Sequence, residues 1–348
     1  LNEIRTRRAF LSSALLAAGG YAARVATAQT AARQPRITAR ELGLLINESD
    51  ALSVEVGEYY RTRRQVPEAN VVRIRFPVRA ALSANEFASV KALVDAKLPQ
   101  SVQALALAWT MPYRVACMSI TSAFAYGFSK DRCAEGCRTT PAIRYFDSDS
   151  RRPFTDFAMR PAMLLAARDF SRARELIDRG VASDATSPTG TAYLMDTSDK
   201  NRNSRRPAFT DALGLRRKGL DVRIIKADVL QNRQDILFYF TGLEWVEDIS
   251  SNRFLPGAMA DHLTSTGGVL PASRQMSALQ WLEAGATGSY GTVVEPCNFP
   301  SKFPSAPVAM RHYLSGDTLV EAYWKSVLMP SQGLFIGEPL AAPFAPRA

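Results

Sequence analysis

The chain has 348 residues, 47% of them hydrophobic and 22% charged, enough apolar material for one large α/β domain or two small ones. Twenty Gly and twenty Pro are ordinary usage, which excludes a wholesale disordered or collagen-like chain. A formal charge of +10 invites anionic partners. The basic clusters RTRR (61–64), SRRP (150–153), NRNSRRP (201–207) and LRRKG (215–219) carry no interleaved aromatics, however, so they read as solvated helix ends and loops rather than a nucleic-acid face.

The first 28 residues have the layout of an export signal. Paired arginines open TRRAFL, an apolar and small-residue stretch follows, and ATA (26–28) fits a cleavage site. Arg7-Arg8-x-Phe10-Leu11 resembles the twin-arginine motif, a receptor-read address rather than an anchor. The apolar stretch is short for a span, and no later stretch reads as transmembrane, so no integral membrane insertion is expected. The expected location is the periplasm or the exterior. Without 1–28 the charge is still about +7.

Residues 39–348 read as a single α/β domain. The run ELGLLINE (41–48) predicts a buried strand, 52–64 a helix stopped by Pro67, and VVRIRF (71–76) a second strand. A helix over 82–98 starts with a capping box, Ser83 followed by Glu86. ALALAWT (104–110) is the third strand. This alternation predicts a mostly parallel sheet with helices on both faces. From Met111 to Phe157 the periodicity is lost, which marks an irregular insertion or a cleft cover. Helical spacing returns over 160–183, as two helices. Strands are expected at 190–198, 220–228, 235–243 and 286–295, and helices at 205–219, 273–285 and 318–327. LFIGEPL near the C-terminus reads as an edge strand.

Four cysteines in an exported chain point to disulfides. The favoured pairing is local, Cys133–Cys137 around Gly136, leaving Cys117 and Cys297 to pair across the core or stay as buried thiols. A third use is catalytic. Cys297 as nucleophile needs a base and a lowered pKa, and only His262 and His312 can supply an imidazole. A carboxylate of Glu295 aimed at the sulfur would raise its pKa. ADHLTSTGG (260–268) is the second candidate. It concentrates Asp261, His262, Thr264, Ser265 and Thr266 where a parallel sheet binds ligands, with Gly267-Gly268 as anion-facing backbone. The plainer reading is a turn capped by Asp261 and Thr264. Asp196, Asp199, Asp261 and His262 are the candidates for hard metal ligands. No phosphate-loop, dinucleotide or zinc-protease motif occurs, so no cofactor is expected.

The strings LLINESDALSVEVGEYYRTRRQVPEANVVRIRFP, FLPGAMADHLTSTGG and GATGSYGTVVEPCNFPSKFP resemble those of a family of uncharacterised bacterial exported proteins, over almost the whole chain after the signal. The C-terminal half more distantly resembles the caspase–haemoglobinase fold, including gingipain-like peptidases. In that resemblance DILFYFTGL matches the strand that ends in the catalytic histidine, but Thr241-Gly242 stands in its place. The 257–268 stretch matches the nucleophile strand, with Thr264, Ser265 or Thr266 near the cysteine position. The resemblance thus implies a fold whose usual His/Cys dyad is missing. Three functions are expected from it. The first is an exported binding protein, a non-catalytic or degenerate relative of caspase-fold hydrolases, for a peptide, protein or small-molecule ligand. The second is a hydrolase of peptide or ester bonds using Ser265 or Cys297 with His262 or His312. The third is a structural partner in an envelope assembly, contacting it through 111–157.

Overall fold

A computed structural model describes residues 36–134 and 137–346. The export signal expected at 1–28 lies outside the described residues.

The chain first lays down β1 (Leu42–Asn47), α1 (Ala51–Arg64), β2 (Val71–Ile74), β3 (Ala81–Leu82), α2 (Ala84–Lys97) and β4 (Ala104–Leu107). The expected insertion then holds β5 (Arg114–Val115), β6 (Met118–Ser119), α3 (Ile120–Tyr126) and α4 (Pro153–Phe157). These elements are too short to leave a periodic signal. Beyond it come β7 (Ala162–Leu164), α5 (Phe170–Ser183), β8 (Gly190–Met195), α6 (Phe209–Ala212), β9 (Leu220–Ile225), β10 (Ile236–Thr241) and β11 (Phe254–His262). The chain closes with α7 (Leu279–Glu283), β12 (Gly288–Thr292), α8 (Ala306–Leu314), α9 (Leu319–Lys325) and β13 (Gly333–Gly337).

Ten strands form one sheet in the order β2-β1-β4-β7-β13-β12-β11-β10-β8-β9, and β3, β5 and β6 form a small second one. Every neighbour in the large sheet pairs in parallel except β12 with β13. The sheet is therefore two parallel blocks of opposite direction joined at one antiparallel seam. Each block is wound alike, with the second strand outside the first and the third on its other side: β2-β1-β4-β7 and β9-β8-β10-β11. The fold is the expected α/β one, with a mostly parallel sheet covered on both faces.

Alternation along the strands supplies a core on each face of the sheet. Leu44, Ile46, Phe238 and Phe240 face α1, α5, α8 and α9, while Leu45, Leu105 and Leu107 face α2, α3 and α7. The Trp324 and Phe335 rings stack at 4.3 Å on the first face. Helix α2 starts as read, with Glu86 N–H donating to Ser83 Oγ and Ser83 N–H to Glu86 Oε2.

Four expectations need correction. The first of the two helices expected within 160–183 is the buried strand β7, because its apolar run fills the slot between β4 and β13. The helix expected at 273–285 shrinks to α7. Upstream of it, Met276 N–H donates to Glu244 O and its carbonyl bonds His262, so tertiary contacts take the backbone groups a helix would use. The helix expected at 205–219 becomes a 3-10 turn, Arg202–Ala208, containing Pro207, then the single turn α6. The expected edge strand near the C-terminus, β13, is central and forms the seam with β12.

Candidate ligand site at the sheet rim

Because β10, β11 and β12 run in parallel, the residues that follow them emerge at one edge of the sheet. That edge brings the 263–265 and 295–298 segments together. A pocket of about 290 Å³ lies between them, with Asn201 and Arg202 from the 3-10 turn forming a third wall. Its polar lining includes Thr264, Ser265, Glu295 and Asn298.

The backbone at this edge is packed too tightly for larger residues. A Cβ at Gly268 would lie 2.5 Å from Gly291 O, so the diglycine serves the approach of the loop to β12. Gly268 N–H donates to Thr292 O and is not offered to an anion. Thr264 Oγ1 donates to Gln275 Oε1 at 2.8 Å and accepts from Arg202 Nε at 3.2 Å. Arg202 is itself held by Asp199 and Glu244. Thr266 Oγ1 meets Ser273 Oγ at 2.9 Å, and Thr266 is not among the residues lining the pocket. Glu295 Oε1 accepts from Cys297 N–H at 2.7 Å, which fixes the loop and leaves the carboxylate exposed.

The catalytic candidates do not converge. Cys297 is bonded to Cys137 (Cα–Cα 5.4 Å), and Cys117 to Cys133 (5.5 Å). The local Cys133–Cys137 pairing is therefore replaced by two bridges, one inside the insertion to its β5–β6 turn and one from the insertion to the pocket wall. A sulfur in a disulfide is no nucleophile. His262 is fully buried. Its Nδ1 accepts from Trp281 Nε1–H at 2.9 Å, which leaves Nε2–H to donate to Met276 O at 3.0 Å. Burial brings its pKa down to about 3, so neither nitrogen is a base for Ser265. His312 sits in another cluster, between Asp317 (3.2 Å) and Asp147 (3.0 Å), with Lys325 on Asp317 at 2.7 Å. Burial works to raise the Asp317 carboxyl, but hydrogen bonds from His312 and Lys325 hold it well below the usual range. Ser265 alone of the catalytic candidates lines the pocket with its side chain uncommitted to a disulfide.

Asp261 is likewise neither a ligand contact nor a cap. It is buried, and its Oδ1 accepts from Arg205 Nη1 at 2.6 Å. Burial pushes its pKa up to about 6 against the pull of that guanidinium. Arg205 also donates to Thr241 O at 2.6 Å and Pro304 O at 3.1 Å, so it plugs the ends of β10 and β11. A Cβ at Gly242 would stand 1.9 Å from Arg202 O, so the end of β10 has no room for a side chain there. The sequence reading missed Arg202 and Arg205 by taking NRNSRRP as a solvated loop. The available signal was its place after β8, at the strand-order reversal where such sheets build sites. The metal candidates are dispersed. Asp196 takes Arg206 and Asn203, and Asp199 accepts from Arg202 and Asn201. Among the described residues no cluster of three or more His, Cys, Asp or Glu is arranged to hold a metal.

No family model and no curated protein matches the chain. A solved structure does, one described as "Structure of Protease". It shares 11% identity, with a TM-score of 0.50 over 88% of this chain and 79% of that one. At that identity the likeness shows the fold alone. Among the described residues no helix is long and apolar enough to cross a membrane.

Proposed function

We propose that this is a binding protein, a non-catalytic relative of caspase-fold hydrolases, which holds a peptide or other small polar ligand at the rim of its second parallel block. The observation that carries the reading is a polar pocket at the rim of the sheet with a hydroxyl, Ser265, but no imidazole to activate it. The sulfur that lines the pocket is in a disulfide. In the resemblance Thr241-Gly242 stands in place of the histidine, and Gly242 has no room for a side chain. We also place the chain with the bacterial exported family it resembles. Two disulfides fit an oxidising compartment outside the cytoplasm.

The test has two arms. Chromogenic ester and peptide panels should give no turnover above that of a Ser265→Ala variant. A thermal-shift screen of di- and tripeptides should give stabilising members, and Asn298→Trp, which fills the pocket, should abolish their shifts. Turnover lost in Ser265→Ala would replace the binding reading with the serine hydrolase one.

A further inference from the structure

A second cavity, of about 370 Å³, is lined by the rest of the same 3-10 turn and by the 300–306 stretch that follows the rim segment 295–298. Its walls are Pro207 and Ala208 of the 3-10 turn, Phe303 and Ala306 opposite, and Phe146 and Leu328. The volume falls within the range of small-molecule sites, and the lining is largely apolar. Five polar residues, Ser204, Arg205, Ser301, Ser305 and Ser326, interrupt it, and two of them have buried atoms without a protein partner. Arg205 is only 4% exposed, and its Nε–H has no protein partner, although both Nη atoms do. The Oγ of the adjacent Ser204, also in the lining, is buried and unpartnered as well.

We propose that this cavity is a second ligand site, for a neutral molecule that presents one aromatic group and one acceptor oxygen. The apolar walls, with Phe146 and Phe303 among them, suit a ring. The unpaired Arg205 Nε–H and Ser204 Oγ–H are donors beside it and ask for an oxygen. Neutrality follows from Asp261, which already balances the Arg205 charge, so a ligand carboxylate would be buried without a countercharge of its own. The proposal does not depend on the rim pocket having a ligand. The oxygen can belong to a free phenol or to the amide of an aromatic residue in a peptide.

Calorimetric titration of the full chain with p-cresol and with N-acetyl-phenylalaninamide separates these sources. Saturable 1:1 binding of at least one is expected. Binding of p-cresol indicates a free small molecule, and binding of the amide alone indicates a peptide residue. Ala208→Phe and Ser301→Phe, which fill the cavity from different walls, should each weaken binding about tenfold or more. Asn298→Trp should leave it unchanged. Ser301→Phe keeps the test open should Ala208→Phe fail to fold. The proposal is overturned if neither neutral probe saturates, if the filling variants that fold bind as the parent does, or if phenylacetate binds more tightly than both.

Discussion

Gly242 has no space for a side chain, because the carbonyl of Arg202 occupies it. Gly242→Ala must displace the 3-10 turn or the end of β10, and a loss of about 3 kcal/mol in urea unfolding is expected. His262 is a buried neutral side chain, which makes it an acid-sensitive one. Its pKa falls from 6.5 to about 3 on folding, so its contribution is complete above pH 6.5 and is lost as pH falls towards 3. Asp261 acts in the opposite sense. Its pKa rises from 3.8 to about 6, so its contribution is complete below 3.8 and is lost as pH rises through 6. The two offset each other between about pH 6 and 4. Below that His262 acts alone, at about 1.4 kcal/mol per pH unit. A His262→Gln variant should show a shallower fall in stability than the parent between pH 4 and 3, and equal slopes would assign the acid limb to other groups. The sequence showed that Asp261 and His262 sit at a strand end, but their burial was hidden, since it depends on Arg205 and Trp281, which are 56 and 19 residues away.

The insertion is held to the pocket wall twice. Cys137 is bonded to Cys297 across 160 residues, and buried Lys302 donates to Arg138 O at 2.7 Å and Pro296 O at 2.9 Å. Replacing Cys137 and Cys297 with serine should cost about 2–5 kcal/mol and lower Tm by several degrees. The same variant should weaken any rim ligand, because Cys297 shapes that wall. Elements with clear periodicity or caps were legible in the sequence: α1, α2 with its Ser83–Glu86 box, and the strands β8, β9, β10 and β12. Those set by context were not. β7 and β13 look like a helix and an edge strand until their sheet neighbours are known, and disulfide pairing follows from distances in the fold rather than from spacing along the chain.

At the scale of the whole molecule, one antiparallel seam decides where the chemistry lies. It sets the two parallel blocks in opposite directions, and the parallel run of β10 to β12 collects the 263–265 and 295–298 segments at a single rim. The shared rim was foreseeable from the strand pattern. The plug of Arg205 and the closed ground at Gly242 were not, and they add to the expectation of binding over hydrolysis. The most direct test is to treat the oxidised native protein with a fluorophosphonate probe and to map adducts by mass spectrometry. With no imidazole available to Ser265, the account predicts no adduct there beyond the level of the heat-denatured protein. Labelling of Ser265 in the native protein that disappears on unfolding would reveal an activated nucleophile and contradict it.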